Sequence, residues 1–188
     1  MTMNKKIIIA AGHLAAGKTT FSLKLSEELR IPCFNKDLLK EEIGRNIKVN
    51  NKEDSNNIGS VSFNILFHIV EKFMKVGFPL IIESGISSMG YDNIKKLLKQ
   101  YNYQSLVFYL AGDLKILFKR FVERDNTSIR DKIHKYHGLA NNILEFEQAT
   151  KHYDEIDLED KVIRIDTTDF QRVEFSKYIQ KAKYFLDE

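Results

Sequence analysis

"IIIAAGHLAAGKTTFSLKL", residues 7–25, starts as an apolar strand and ends as an amphipathic helix, with a glycine-bounded loop between them. Beyond its first residue, the run from Lys6 to Ala11 is apolar without alternation, as a strand buried on both faces of a parallel sheet must be. The helix predicted over Thr19 to Leu29 carries Phe21, Leu25 and Leu29 at i, i+4 and i+8. Between the two, Gly12 to Thr19 satisfies G-x-x-x-x-G-K-[ST] at every specified position. Its glycines let the backbone curl so that successive N–H groups point inward at phosphates, and the helix start adds free donors and a positive dipole end. Lys18 is placed to reach the β- and γ-phosphates of a nucleotide, and the Thr19 hydroxyl to bind Mg²⁺. Gly12, His13, Leu14, Ala15, Ala16, Gly17, Lys18, Thr19 and Thr20 are therefore candidate nucleotide-binding residues, His13 lying in the variable part of the loop.

Strand-then-helix alternation continues along the chain. Pro32 stops the first helix, and Pro32 to Asn35 reads as a second strand. A helix over Asp37 to Ile47 follows, with Leu39, Ile43 and Ile47 as its stripe. Residues 46–60, "NIKVNNKEDSNNIGS", lose periodicity and read as a mobile acceptor-side loop with room for a fragment of helix. The helical period returns from Ile58 to Val76 through Val61, Ile65, Ile69, Phe73 and Val76, with Gly77 as C-cap. Strands are predicted at 79–85, 105–112 and 162–166, and helices at 89–100, 114–124, 139–152 and 170–186. This pattern specifies an α/β three-layer sandwich around a parallel sheet of about five strands.

At 188 residues the chain forms one domain. Its 43% hydrophobic and 29% charged residues describe a soluble globular protein, and a net charge of +3 is too small to argue for nucleic acid. No stretch approaches the roughly 20 apolar residues of a membrane span. One cysteine, Cys33, permits no intrachain disulfide and reads as a small buried apolar residue in a reducing cytosol. The expected location is the cytoplasm.

In open parallel sheets, ligands bind beyond the carboxyl ends of the strands. The second strand delivers Asp37, either as the N-cap of the next helix or as a carboxylate beside the phosphates that serves as base or metal ligand. The third delivers Glu83, whose burial demands a cation or several donors; Lys18 and the water shell of a metal ion are candidates. After the fourth come Arg120 and Arg124, one helical turn apart on one face, followed by the polar run 124–137 with Arg130, His134 and His137. Planar forked donors in such a run suit a lid over 124–138 that closes on a triphosphate. The fifth ends at Asp166, Thr167, Thr168 and Asp169.

The phosphate loop, "NKDLLKEEI" at 35–43 and "FKRFVERDNTSIR" at 118–130 resemble the small P-loop kinases of the adenylate and shikimate kinase type. The look is closest to the branch of zeta toxin, chloramphenicol phosphotransferase and polynucleotide kinase. That resemblance implies a sheet ordered 2-3-1-4-5, ATP with Mg²⁺, and phosphorylation of a hydroxyl. It makes Asp37 the catalytic base. Arg120 and Arg124 open the lid, one against adenine and one toward the phosphates, and Thr167 and Thr168 lie in the segment beside the adenine.

The expectation is thus a kinase acting on a small-molecule hydroxyl. Lys18, Asp37, Arg124 and Arg130 are its catalytic residues, Thr19 and Glu83 hold its metal, and it works as monomer or homodimer without a membrane. A polynucleotide 5′-hydroxyl kinase is the nearest rival, and a slow-ATPase regulatory module the rival from another class.

Overall fold

Strand β1 (Lys6–Gly12) is buried along its whole length, at the centre of a sheet covered on both faces. It pairs in parallel with β3 (Leu80–Glu83) on one side and β4 (Gln104–Ala111) on the other. β2 (Cys33–Asn35) lies beyond β3 and β5 (Lys161–Asp166) beyond β4, giving the order β2-β3-β1-β4-β5. The structure, a computed structural model, describes residues 5–84, 88–128, 130–152, 154 and 161–188. Gly85, at the end of the expected third strand, and Ile129, within the expected lid, lie outside them.

Successive β1 residues serve opposite layers. Ile8 and Ala10 pack with α1 (Lys18–Leu29), α5 (Leu114–Asp125), α7 (Ile143–Lys151) and α8 (Phe175–Asp187) through Phe21, Leu117, Phe146 and Phe185. Ile7 and Ile9 pack with α3 (Lys52–Val76) and α4 (Ser88–Tyr101) through Leu66, Val70, Met74 and Tyr91. α2 (Lys36–Asn46) packs on α3 and on the short α6 (Lys132–Lys135). The register sets Ala10 and Asn35 on either side of Glu83, so the end of β2 and the end of β3 meet beside the loop after β1.

Four sequence expectations need correcting. α3 begins at Lys52 rather than Ile58, because the Asn51 side chain accepts from Asp54 N and Glu53 and Asp54 suit the dipole of the first turn. Its buried stripe is Ser55, Ile58, Ser62, Leu66, Val70 and Met74; Val61, Ile65 and Val76 are exposed. Serine can take the inner face because Ser62 Oγ donates to Ile58 O at 2.7 Å and Ser55 Oγ to Ile133 O at 2.7 Å. In α2, Ile47 lies past the helix and is exposed, and the residue that the helix buries is Lys40. The last two helices each start later than expected, after a 3₁₀ turn, at Leu139–Asn141 and at Phe170–Arg172. Gly77 is the αL C-cap of α3 as expected. Cys33 is half-buried, and burial pushes its thiol up to about 11, which leaves it chemically quiet. Among the described residues no helix is long and apolar enough to cross a membrane.

Candidate active site

The loop between β1 and α1 owes its path to three left-handed residues, Gly12 (φ 119°), Ala15 (φ 57°) and Gly17 (φ 84°). A Cβ at Gly12 would lie 2.0 Å from Leu110 O, so the first glycine allows the loop to leave flush against β4. A Cβ at Gly17 would lie 2.2 Å from the Phe170 ring, which covers the start of α1. Lys18 folds back into this turn, its Nζ donating to Gly12 O at 3.1 Å and His13 O at 2.7 Å. Burial lowers its pKa, and the nearby carboxylates of Glu83 and Asp37 oppose that shift.

Glu83 ends β3 almost fully buried, and burial pushes its carboxyl up to about 7 against the pull of Lys18. Thr19 Oγ1 donates to its Oε2 at 3.1 Å, and Asn35 Nδ2 donates to the same oxygen. Sequence reasoning had not marked Asn35. Its Oδ1 accepts from Asp37 N at 2.8 Å and Leu38 N at 3.1 Å, so Asn35, not Asp37, is the N-cap of α2. The signal was there: a capping residue type directly before a helix.

Freed from capping, the Asp37 side chain is half-exposed, with Oδ1 3.1 Å from Lys36 Nζ. Burial raises its carboxyl, but the charge and hydrogen bond of Lys36, with His134 and then Lys18, outweigh this and hold it well below the usual carboxylate range. Beyond it, His134 Nε2 meets Glu41 Oε1 at 2.9 Å.

A cleft of about 450 Å³ joins the loop residues Leu14 to Thr20 with Asn35, Asp37, Glu83, Arg120, Arg124 and Arg130. Arg120 spends its guanidinium on Thr167 O at 2.6 Å and Thr168 O at 2.5 Å, tying α5 to the loop after β5. Arg124 lies over the Phe121 ring. Arg130 sits 3.3 Å from Asp125 and separates the cleft from a neighbouring cavity of about 480 Å³ beside Arg45 and Tyr136. Four expected residues do not line the cleft. Gly12 faces β4; Thr167 is buried, bonded through N and Oγ1 to Ala111 O; and Thr168 Oγ1 accepts from Asp113 N. His13 turns to Asp154, 3.1 Å from both carboxylate oxygens, while Tyr109 donates to Oδ1 at 2.7 Å.

The donor set fits a divalent cation shared with phosphate oxygens and water: a hydroxyl and a buried carboxylate whose side-chain donors among the described residues, Thr19 and Asn35, are neutral. Among the described residues no group of three or more His, Cys, Asp or Glu side chains could hold a metal without such help.

The sequence profile described as Zeta toxin matches residues 2–165. The chain belongs to the zeta toxin family. No curated protein matches it. In fold, this zeta toxin family member is similar to a candidate kinase from Chloroflexus aurantiacus, with TM-score 0.85 and 21% identity over 100% of this chain and 98% of that one. It is also similar to shikimate kinase from Bacteroides thetaiotaomicron, with TM-score 0.56 and 16% identity over 97% and 98%. A gluconokinase from Sinorhizobium meliloti follows the same plan, with TM-score 0.54 and 11% identity over 98% and 93%. The family member therefore has a kinase-like P-loop fold, with the small P-loop kinases as its structural relatives.

Proposed function

We propose that this chain transfers the γ-phosphoryl group of ATP to a hydroxyl of a small-molecule acceptor. The supporting observation is that one cleft brings a phosphate loop and Lys18 to face Asp37 and two arginines of the expected lid. The proposed acceptor hydroxyl attacks the γ-phosphorus. Its O–P bond forms as the bond to the β–γ bridging oxygen breaks, ADP leaves, and the hydroxyl proton passes to an Asp37 oxygen. Such a reaction needs positioning and charge neutralisation more than covalent chemistry. Loop N–H groups and Lys18 receive the β- and γ-phosphates, Lys18 exchanging its bonds to Gly12 O and His13 O for phosphate oxygens. Arg124 and Arg130, which line the same cleft, supply forked donors. Arg120 braces the adenine side through Thr167 and Thr168. Thr19 and Glu83 would hold Mg²⁺, which when bound offsets phosphate charge.

Small-molecule kinases among the fold relatives favour a small acceptor over a polynucleotide end. The test is ADP release with Mg·ATP over a panel of alcohols, sugars, hydroxy acids and oligonucleotides, with Lys18→Ala as blank. Acceptor-dependent release that vanishes in the variant is expected. Release that ignores every acceptor would turn the reading toward a slow ATPase.

A further inference from the structure

Lys40 is a buried cation with no ion pair among the described residues, the Asp37 carboxylate acting on it only from beyond ion-pair distance. It is 4% exposed, on α2 beside Gly59 of α3 and His137. Among the described residues no carboxylate stands within ion-pair distance of its ammonium, whose one hydrogen bond is 3.4 Å long, to His137 Nε2. Three N–H donors thus share a single acceptor beyond the usual 2.7–3.2 Å range. Even that acceptor is contested. His137 Nε2 also lies 3.4 Å from Ser55 Oγ, whose proton goes to Ile133 O. The ring nitrogen can accept from Lys40 or donate to Ser55, not both.

The surroundings add positive charge. Lys36 precedes Lys40 by one helical turn and takes Asp37 for itself at 3.1 Å. Lys52 opens α3 beside His137, and Arg130 lies close enough to act on Lys40. Burial first, and then Lys36, pushes the Lys40 ammonium down to about 8. Packing does not explain such a residue, because an apolar side chain in place of a buried charge is often as stable or more so. Position does. Lys40 follows Asp37 by three residues, so their Cβ atoms leave neighbouring points of α2, about 5–6 Å apart.

We propose that Lys40, assisted by His137, binds an oxyanion carried by the acceptor, a carboxylate or a phosphate close to the hydroxyl that Asp37 aims. The acceptor is then a hydroxy acid or a sugar phosphate rather than a neutral alcohol. This rests on the phosphotransferase reading and sharpens it.

Titration calorimetry on protein saturated with Mg·AMP-PNP tests it, since the analogue occupies the loop and leaves the acceptor side free. The probes are matched pairs: glycerate and glycerol 3-phosphate against glycerol, and gluconate against glucose. The first pair also separates carboxylate from phosphate. An anionic member should bind at least tenfold more tightly than its neutral partner, and Lys40→Met should remove that preference with an unchanged or raised melting temperature. Gly59→Asp is the second variant. A Cβ at 59 would lie 3.9 Å from Lys40 Nζ, so a carboxylate there should neutralise the ammonium in place and abolish the preference too. Equal binding of charged and neutral probes by the wild type, or a preference that survives Lys40→Met, overturns the inference while AMP-PNP binding leaves the kinase reading standing. Failure of AMP-PNP to bind overturns both.

Discussion

Replacing Asn35 strikes two structures at once, and the two can be separated. Its Oδ1 caps α2 through two backbone N–H groups, and its Nδ2 is, among the described residues, one of two side-chain donors on the buried Glu83 carboxylate. Loss of an N-cap costs about 0.5–2 kcal/mol. A hydrogen bond to a charged group is worth about 1.5–3 kcal/mol, and deleting the donor leaves a buried carboxylate underpaired. Asn35→Ala should therefore lose about 2–5 kcal/mol, or roughly 5–15 °C in melting temperature for a chain of this size. Asn35→Asp keeps the capping oxygen but turns the donor into a like charge against Glu83, so it should be no more stable than the alanine variant despite its intact cap. Urea unfolding of the three proteins measures this. An aspartate variant as stable as wild type would show that Glu83 does not depend on the Asn35 amide. An alanine variant within about 0.5 kcal/mol of wild type would remove both roles.

Asp37→Asn should leave stability and AMP-PNP affinity within a few-fold, because the cap belongs to Asn35, while acceptor phosphorylation falls by roughly 10²-fold or more; collapse of nucleotide binding would make Asp37 a metal ligand instead. Residues 124–137 should exchange amide hydrogens more slowly once AMP-PNP is bound, and equal exchange with and without it would count against a lid. Burial, then the charge of Arg130, pushes the His134 imidazole down to about 3 from 6.5. Between those values the unfolded chain binds a proton that the folded state refuses, so this stability is whole above pH 6.5 and drains as pH falls toward 3. From about pH 7.5 to about 5.5, wild type should lose about 1 kcal/mol more than His134→Gln, and parallel pH profiles would sink the argument.

The loop after β1 was legible because its glycines answer to backbone constraints: Gly12 meets Leu110 O and Gly17 meets Phe170, whatever ligand the loop serves. The alternation of strand and helix was legible from periodicity, whereas the order 2-3-1-4-5 came from family resemblance. The inner face of α3 was misread because hydropathy counts Ser55 and Ser62 as polar, while in the fold their protons are spent on carbonyls and their small size suits the buried face. Lys40 was hidden for the opposite reason, a charge standing where an apolar stripe was sought. The contact between His13 and Asp154 spans 141 positions, and no local pattern announces it.

Asp37 shows why the nucleotide half of the site is readable and the acceptor half is not. The phosphate loop is one continuous segment, but the groups that act on Asp37 come from α1, α2 and α6. Lys36 first, with His134 and Lys18, holds its carboxyl below the usual carboxylate range, and a carboxylate of any ordinary strength is too weak a base to strip a hydroxyl proton ahead of bond formation. In a loose phosphoryl-transfer transition state it does not have to, since the hydroxyl turns acidic only as its oxygen bonds to phosphorus. In the proposed transfer an ionised Asp37 first aims the hydroxyl and accepts the proton late. Nucleotide binding then helps, because phosphate charge arriving beside Lys18 raises a neighbouring carboxylate's proton affinity. On that proposal the aspartate becomes a better base only when a phosphoryl group is present to be transferred.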